Sequence, residues 1–139
     1  HLRRDMIATA EDVKAALASK KVVLVDNRPE DQYVGINRNP KATQNGTLPG
    51  AKNLPSPWLT ENAGGTLRNR AQIEQLYKVA GVPIKGPQIN FCNTGHFAAN
   101  GWFVAHEILG NQDAKLYDGS MVEWTMDKLG PVEQKVTLK

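Results

Sequence analysis

The chain holds a single cysteine, Cys92, and its neighbours give it the setting of a nucleophile. An apolar segment, Gln88-Ile89-Asn90-Phe91, leads directly into Cys92-Asn93-Thr94-Gly95-His96. A stretch rich in Ala and aromatics follows, with helical character. The pattern predicts strand, tight loop and helix, with the thiol at the turn. Backbone N–H groups and the positive end of a helix dipole favour thiolate over thiol there. Thiolate is the attacking form, so this position offers covalent sulfur chemistry. A structural reading competes, because a free cysteine is often a small buried hydrophobe. A structural cysteine belongs inside an element, whereas Cys92 ends one and opens a loop with Gly95 at its middle. Glycine lets successive N–H groups turn inward into an anion-binding nest.

The other candidates are weaker. His96 either donates to an anionic substrate at the pocket mouth or faces solvent at a helix start. No second His or Asp stands close enough in sequence to build a Cys–His dyad. His106 falls inside a helix pattern and reads as a packing or surface residue. Asp26 and Arg28 flank the end of a predicted buried strand, and such a pair reads as structural before catalytic. Asp118 and Ser120 call for the same reading, although a Ser hydroxyl near Cys92 could donate to a sulfur anion. Trp58, Trp102 and Trp124 read as core or pocket walls.

Composition narrows the classes. The 139 residues suit one domain with a real core. Seventeen basic residues against fourteen acidic ones leave +3, spread along the chain rather than blocked. That distribution gives no nucleic-acid arm, although it can draw small anions toward a cleft. One cysteine excludes an internal disulfide framework and any multi-cysteine metal site. No apolar run is long enough to span a bilayer and no signal peptide is seen. Because the chain starts at His1, it reads as a mature, cleaved or excised piece.

The elements that must position Cys92 follow from periodicity and punctuation. Thr9 and Asp12 form a capping box ahead of a helix through about Ser19. Lys21–Val25 is a buried strand, and Pro29 opens a short helix over Glu30–Tyr33. Gly35–Gly46 is a polar loop, and a short strand lies within Gly50–Pro55. Asn69 caps a helix over Ala71–Ala80 that Gly81 ends. The strand before Cys92 leads into a helix over Phe97–Leu109. Lys115–Tyr117 is a last strand, and Val122–Leu129 a last helix. Strand and helix alternate, which predicts an α/β fold with a mostly parallel sheet and helices on both faces. Ligands in such sheets sit beyond the carboxyl ends of the strands. Asp26 and Arg28, Cys92, and Asp118 and Ser120 all cluster at those ends.

These residues resemble the rhodanese superfamily. Val25-Asp26-Asn27-Arg28 with Tyr33 is similar to its first strand motif. Gly46-Thr47-Leu48-Pro49-Gly50-Ala51-Lys52-Asn53-Leu54-Pro55 resembles its G-H-I-P-G-A-x-x-x-P segment, with Thr47 for the usual His. Tyr117-Asp118-Gly119-Ser120-Met121-Val122-Glu123-Trp124 resembles its carboxy-terminal signature, with Met121 for an aromatic. Cys92 stands where the family places its catalytic cysteine. The resemblance runs from about Met6 to Trp124 and is strongest to the catalytic, carboxy-terminal half of two-domain bacterial thiosulfate sulfurtransferases. It implies a three-layer rhodanese-like sandwich, with one catalytic domain over 6–129, a leader or linker over 1–5 and a loose tail over 130–139. It also implies a possible amino-terminal rhodanese-like domain or partner chain, and the periplasm ahead of the cytoplasm as compartment.

The implied reaction moves sulfane sulfur from a small anion, thiosulfate or a related donor, to cyanide or a thiol through a Cys92 persulfide. No metal and no organic cofactor take part. Asn93, Thr94, Gly95, His96, Phe97 and Arg28 would bind donor or persulfide, with Asp26, Asp118 and Ser120 in support. The chain departs from the family at the loop. Phe97 stands where many members carry Arg, Asn93 and Thr94 are neutral where thiosulfate-specific loops are basic, and Gln32 replaces a basic residue before Tyr33. Those losses weaken the fit to a dianion and leave a less charged donor open. Phosphate-ester hydrolysis is a poor rival, because Ala98 stands where an Arg would grip phosphate. A sulfur relay to a partner protein and a non-catalytic binding module remain as alternatives.

Overall fold

A computed structural model describes residues 4–139. The sheet has four parallel strands: β1 (Val23–Asp26), β2 (Lys52–Asn53), β3 (Gln88–Phe91) and β4 (Ala114–Leu116), in the order β2-β1-β3-β4. Register sets Val25 opposite Asn90 and Asp26 opposite Phe91, so β1 and β3 end side by side. Five α-helices connect and cover them: α1 (Ala10–Ser19), α2 (Glu30–Val34), α3 (Arg70–Ala80), α4 (His96–Phe103) and α5 (Ser120–Met126).

The alternation of strand side chains divides the core. Leu24, Ile89 and Phe91 pack with Val13 and Ala16 of α1 and Met121 and Trp124 of α5. Val25 points the other way and meets Ile73 and Tyr77 of α3. Cys92, Ala114 and Leu116 meet Ala98 and Trp102 of α4. Helices therefore lie on both faces, as the strand–helix alternation requires. Their starts are well marked. Thr9 and Asp12 bond reciprocally ahead of α1, and Asn69 and Gln72 do the same ahead of α3.

Two expectations change. The helix after Cys92 is α-helical only to Phe103, and Val104–Ile108 forms a π-turn, with Leu109 N–H bonding Val104 O at 2.9 Å. The wider turn keeps Val104, Ala105 and Leu109 buried together and stacks His106 on Trp102, ring centroids 4.8 Å apart.

The tail expected to be loose is pinned through Val136. Thr47 and Glu133 exchange N–H···O bonds of 2.9 and 2.7 Å, and the Lys135 and Val136 N–H groups both reach Val34 O. Trp124 Nε1 donates to Pro131 O at 3.0 Å, and Gln134 Nε2 to Gly35 O at 3.1 Å. The segment carries no amphipathic period, so nothing local marked it. Its order comes from backbone groups of Val34, Gly35 and Thr47 and from the Trp124 indole, which require partners. Of the expected leader, 1–3 lie outside the described residues and Arg4–Met6 forms a 3-10 turn. Ending the chain at Gly130 is expected to lower the unfolding free energy by about 2 kcal/mol, several net hydrogen bonds less the ordering cost. Urea denaturation of both lengths checks this, and equal midpoints would rule out a structural tail.

Candidate active site

Cys92 is the first residue beyond β3, buried on the α4 side of the sheet with 1% of its surface exposed. The chain turns at once. Gly95 takes φ +89°, and α4 begins at His96. That left-handed conformation suits glycine, and a Cβ there would collide with Asp118. The turn brings the Gly95 N–H onto Cys92 Sγ at 3.1 Å. The first N–H groups of α4 have no acceptor within the helix, so its positive end lies at the same loop. A donor aimed at sulfur stabilises negative charge on it, in the free thiolate or after reaction.

The loop is clamped from the β4–α5 turn. Ser120 is fully buried and holds φ +55°, an uncommon value for a residue with a Cβ. Its Oγ accepts the Cys92 N–H at 2.9 Å and donates to Tyr117 O at 2.8 Å. Ser120 Oγ also lies 4.0 Å from Sγ. A hydroxyl has one proton, and the short bond to Tyr117 O takes it. Ser120 is thus a loop anchor, with its Oγ at the long limit of a contact to sulfur. The Met121 and Val122 N–H groups add bonds of 2.9 and 3.0 Å to the Cys92 and Asn93 carbonyls. Tyr117 OH donates to Glu123 Oε1 at 2.6 Å, and burial, reinforced by that carboxylate, pushes the phenol above its ordinary pKa.

Arg28 does not reach the loop as a ligand. It is 1% exposed, bonds Asp26 through Nε and Nη2, and donates Nη2 to Gly46 O at 2.8 Å. Thr47 Oγ1 completes the cluster, donating to Asp26 Oδ2 at 2.8 Å. The physical reason is alternation past β1. Asn27 is the residue on the α4 side, its Oδ1 so close to Gly101 that a Cβ there would overlap it. Asp26 and Arg28 turn to the opposite face. Their structural reading holds, and the expected donor contact by Arg28 does not fit this placement.

The remaining loop residues stand near Cys92. Thr94 and His96 are exposed, and Phe97 is 39% exposed. Asp118 sits against Gly95. Asn93 is 8% exposed, and its Nδ2 donates to Gln32 Oε1 of α2 at 2.8 Å. Gln32 had signalled in sequence only as a missing charge, and this contact across 61 positions needs the fold. Ser120→Ala is expected to lower stability by about 1–3 kcal/mol by orphaning the buried Cys92 N–H. Urea unfolding measures it, and a variant as stable as the parent would remove Ser120 as the anchor.

The rhodanese-like domain family matches residues 9–127. A thiosulfate sulfurtransferase of Gallus gallus is 31% identical over 137 residues, covering 98% of this chain and 45% of its own length. A Haloferax volcanii protein, provisionally named a thiosulfate sulfurtransferase, is 32% identical over 136 residues, covering 94% of this chain and 46% of its own length. This chain spans about half the length of such relatives. The Tum1 protein of Saccharomyces cerevisiae superposes with a TM-score of 0.80 at 25% identity, covering 94% of this chain and 47% of that one. The wild-type structure of EanB shares the fold, with a TM-score of 0.80 at 24% identity, over 97% of this chain and 33% of that one. A cysteine at the end of a central parallel strand, seated at a helix start, thus comes with a match over most of the chain: it belongs to the rhodanese-like domain family.

Proposed function

We propose that the chain is a sulfurtransferase that carries sulfane sulfur as a Cys92 persulfide, from thiosulfate or a related donor to cyanide or a thiol. The observation that carries this reading is the Gly95 N–H on Sγ at 3.1 Å at the foot of α4. Thiolate attacks the outer sulfur of the donor, the S–S bond breaks, and the electron pair leaves on sulfite. The outer sulfur stays on Cys92 as an anionic persulfide. Cyanide then attacks that sulfur, leaves as thiocyanate, and returns Cys92 to thiolate. Both halves of the cycle place negative charge on sulfur beside the same backbone donor, which is preorganised and needs no rearrangement.

The rest of the loop supports the reading by rigidity. Ser120 and the α5 N–H groups hold Cys92 and Asn93 at both backbone ends. A nucleophile held this way loses little freedom on attack. The donor would come over the exposed Thr94, His96 and Phe97. The His96 ring is exposed and makes no hydrogen bond among the described residues, so it is open to a substrate.

Incubating the chain with thiosulfate is expected to add one sulfur atom to its intact mass, and cyanide to remove it. Cys92→Ser should add none. If the native chain gains no sulfur from any sulfane donor, persulfide chemistry is excluded. A gain in Cys92→Ser equal to the native gain would place the sulfur elsewhere.

A further inference from the structure

We propose that a cleft at the amino end of β1 binds a free medium-chain carboxylate, with one apolar tail and one negative head. The cleft lies at the opposite end of the parallel sheet from Cys92, so it stands apart from the sulfur-transfer site. It exists because β2 is short. β2 pairs with β1 only from Lys52 opposite Val25, and residues 22–24 have no described strand on that flank. α1 stops at Ser19, and the chain turns away at Lys20 with φ 59°. Between the helix end, the strand start and the 49–52 segment a cleft of about 570 Å³ remains, and Pro131 of the pinned tail also lines it.

The lining has two kinds of surface. Leu17, Val22, Leu24 and Pro49 make it apolar, and an apolar tail laid on them leaves water together with them. The only charged residues in the lining are Lys20 and Lys52. Both are exposed, and neither ammonium has a hydrogen bond or ion pair among the described residues. The carboxylate that approaches the wall is already occupied. Glu133 accepts the Gly50 N–H at 3.0 Å and Lys135 Nζ at 3.2 Å. Two unpaired cations beside an apolar floor complement a single anionic head on an apolar tail.

Other occupants fit less well. A small inorganic anion gains nothing from the floor, and a cationic amphiphile meets two like charges. A second copy of the chain, docked about a two-fold axis, would bring the same pair of lysines against itself. The surface is concave rather than flat, which suits one chain in a cleft. Binding here involves no covalent step and leaves Cys92 untouched.

The test titrates the full chain with decanoate, below its micelle-forming concentration, and follows backbone amide signals by NMR. Saturable shifts are expected at Leu17, Val22, Leu24 and Gly50. Octanoate should bind more weakly, by up to about four-fold per methylene lost. Lys20→Glu with Lys52→Glu should weaken decanoate about ten-fold or more and leave 1-octanol, which has no charge, unchanged. Should that double variant fail to fold, Lys52→Gln, expected to cost decanoate about three-fold, carries the same comparison. Shifts that do not saturate, shifts that map elsewhere, or affinities indifferent to the charge at 20 and 52 overturn the proposal. Signals at Val22 and Leu24 that move on dilution without ligand would give the cleft to a second copy and overturn it as well. Sulfur loading of Cys92 is read separately by intact mass, so failure of either reading leaves the other standing.

Discussion

The site depends on one hydroxyl. Ser120 Oγ ties the end of β3 to the end of β4, accepting from Cys92 and donating to Tyr117. Without it the Cys92 N–H would be buried and unpaired, and the loop would lose its fixed distance from the β4–α5 turn. The cost of this arrangement is visible in the Ser120 backbone, held at φ +55°. Strain of this kind persists where the surroundings over-determine it, and here two side-chain bonds and the α5 backbone do so. Glycine would adopt that φ more easily but has no hydroxyl, so the strained serine is the residue that fits.

A second cluster holds the neighbouring strand end, on the other face. Asp26 and Arg28 form a buried ion pair, with Thr47 and the Gly46 carbonyl filling the remaining bonds. Removing one partner of such a pair typically costs about 3–5 kcal/mol, because a charge is left buried alone. The pair fixes the end of the long loop over 35–47, at Gly46 and Thr47, and that loop in turn takes up the tail through Thr47 and Glu133. The chain is thus closed by contacts far apart in sequence around the same end of the sheet that carries Cys92. The glycine at 101 has a related role. It lets α4 settle onto the Asn27 amide, which keeps the helix start close to the thiol.

Buried amides of β3 and of the segment after β1 lie on the α3–α4 side of the sheet. Gln88 and Asn90 lie buried in β3, bonded to each other, yet Asn90 Oδ1, Asn27 Oδ1 and Tyr77 OH have no partner among the described residues. Buried groups of this kind are costly and are more often met near functional sites than elsewhere. The opposite side carries an apolar cluster around Leu24, Ile89, Phe91 and Trp124, with the paired Asp26 and Arg28 at the strand end.

Much of this was legible in the sequence. Short apolar runs, capping residues and terminal glycines gave every strand and helix that positions Cys92, because those signals are local and strong. The strand-to-loop placement of the only thiol marked Cys92 as the candidate nucleophile for the same reason. The sequence could not decide which face each side chain takes beyond a strand's end, so Arg28 looked available when it is locked to Asp26. It could not show that Ser120 holds the Cys92 and Tyr117 backbone at once, since that turns on two distances across the sheet end. It gave no sign of the ordered tail or of the Gln32–Asn93 bond, which join segments with no local pattern in common. Local propensity and punctuation are properties of neighbours along the chain. Side-chain partnership across a sheet edge is a property of packing, and only the tertiary structure decides it.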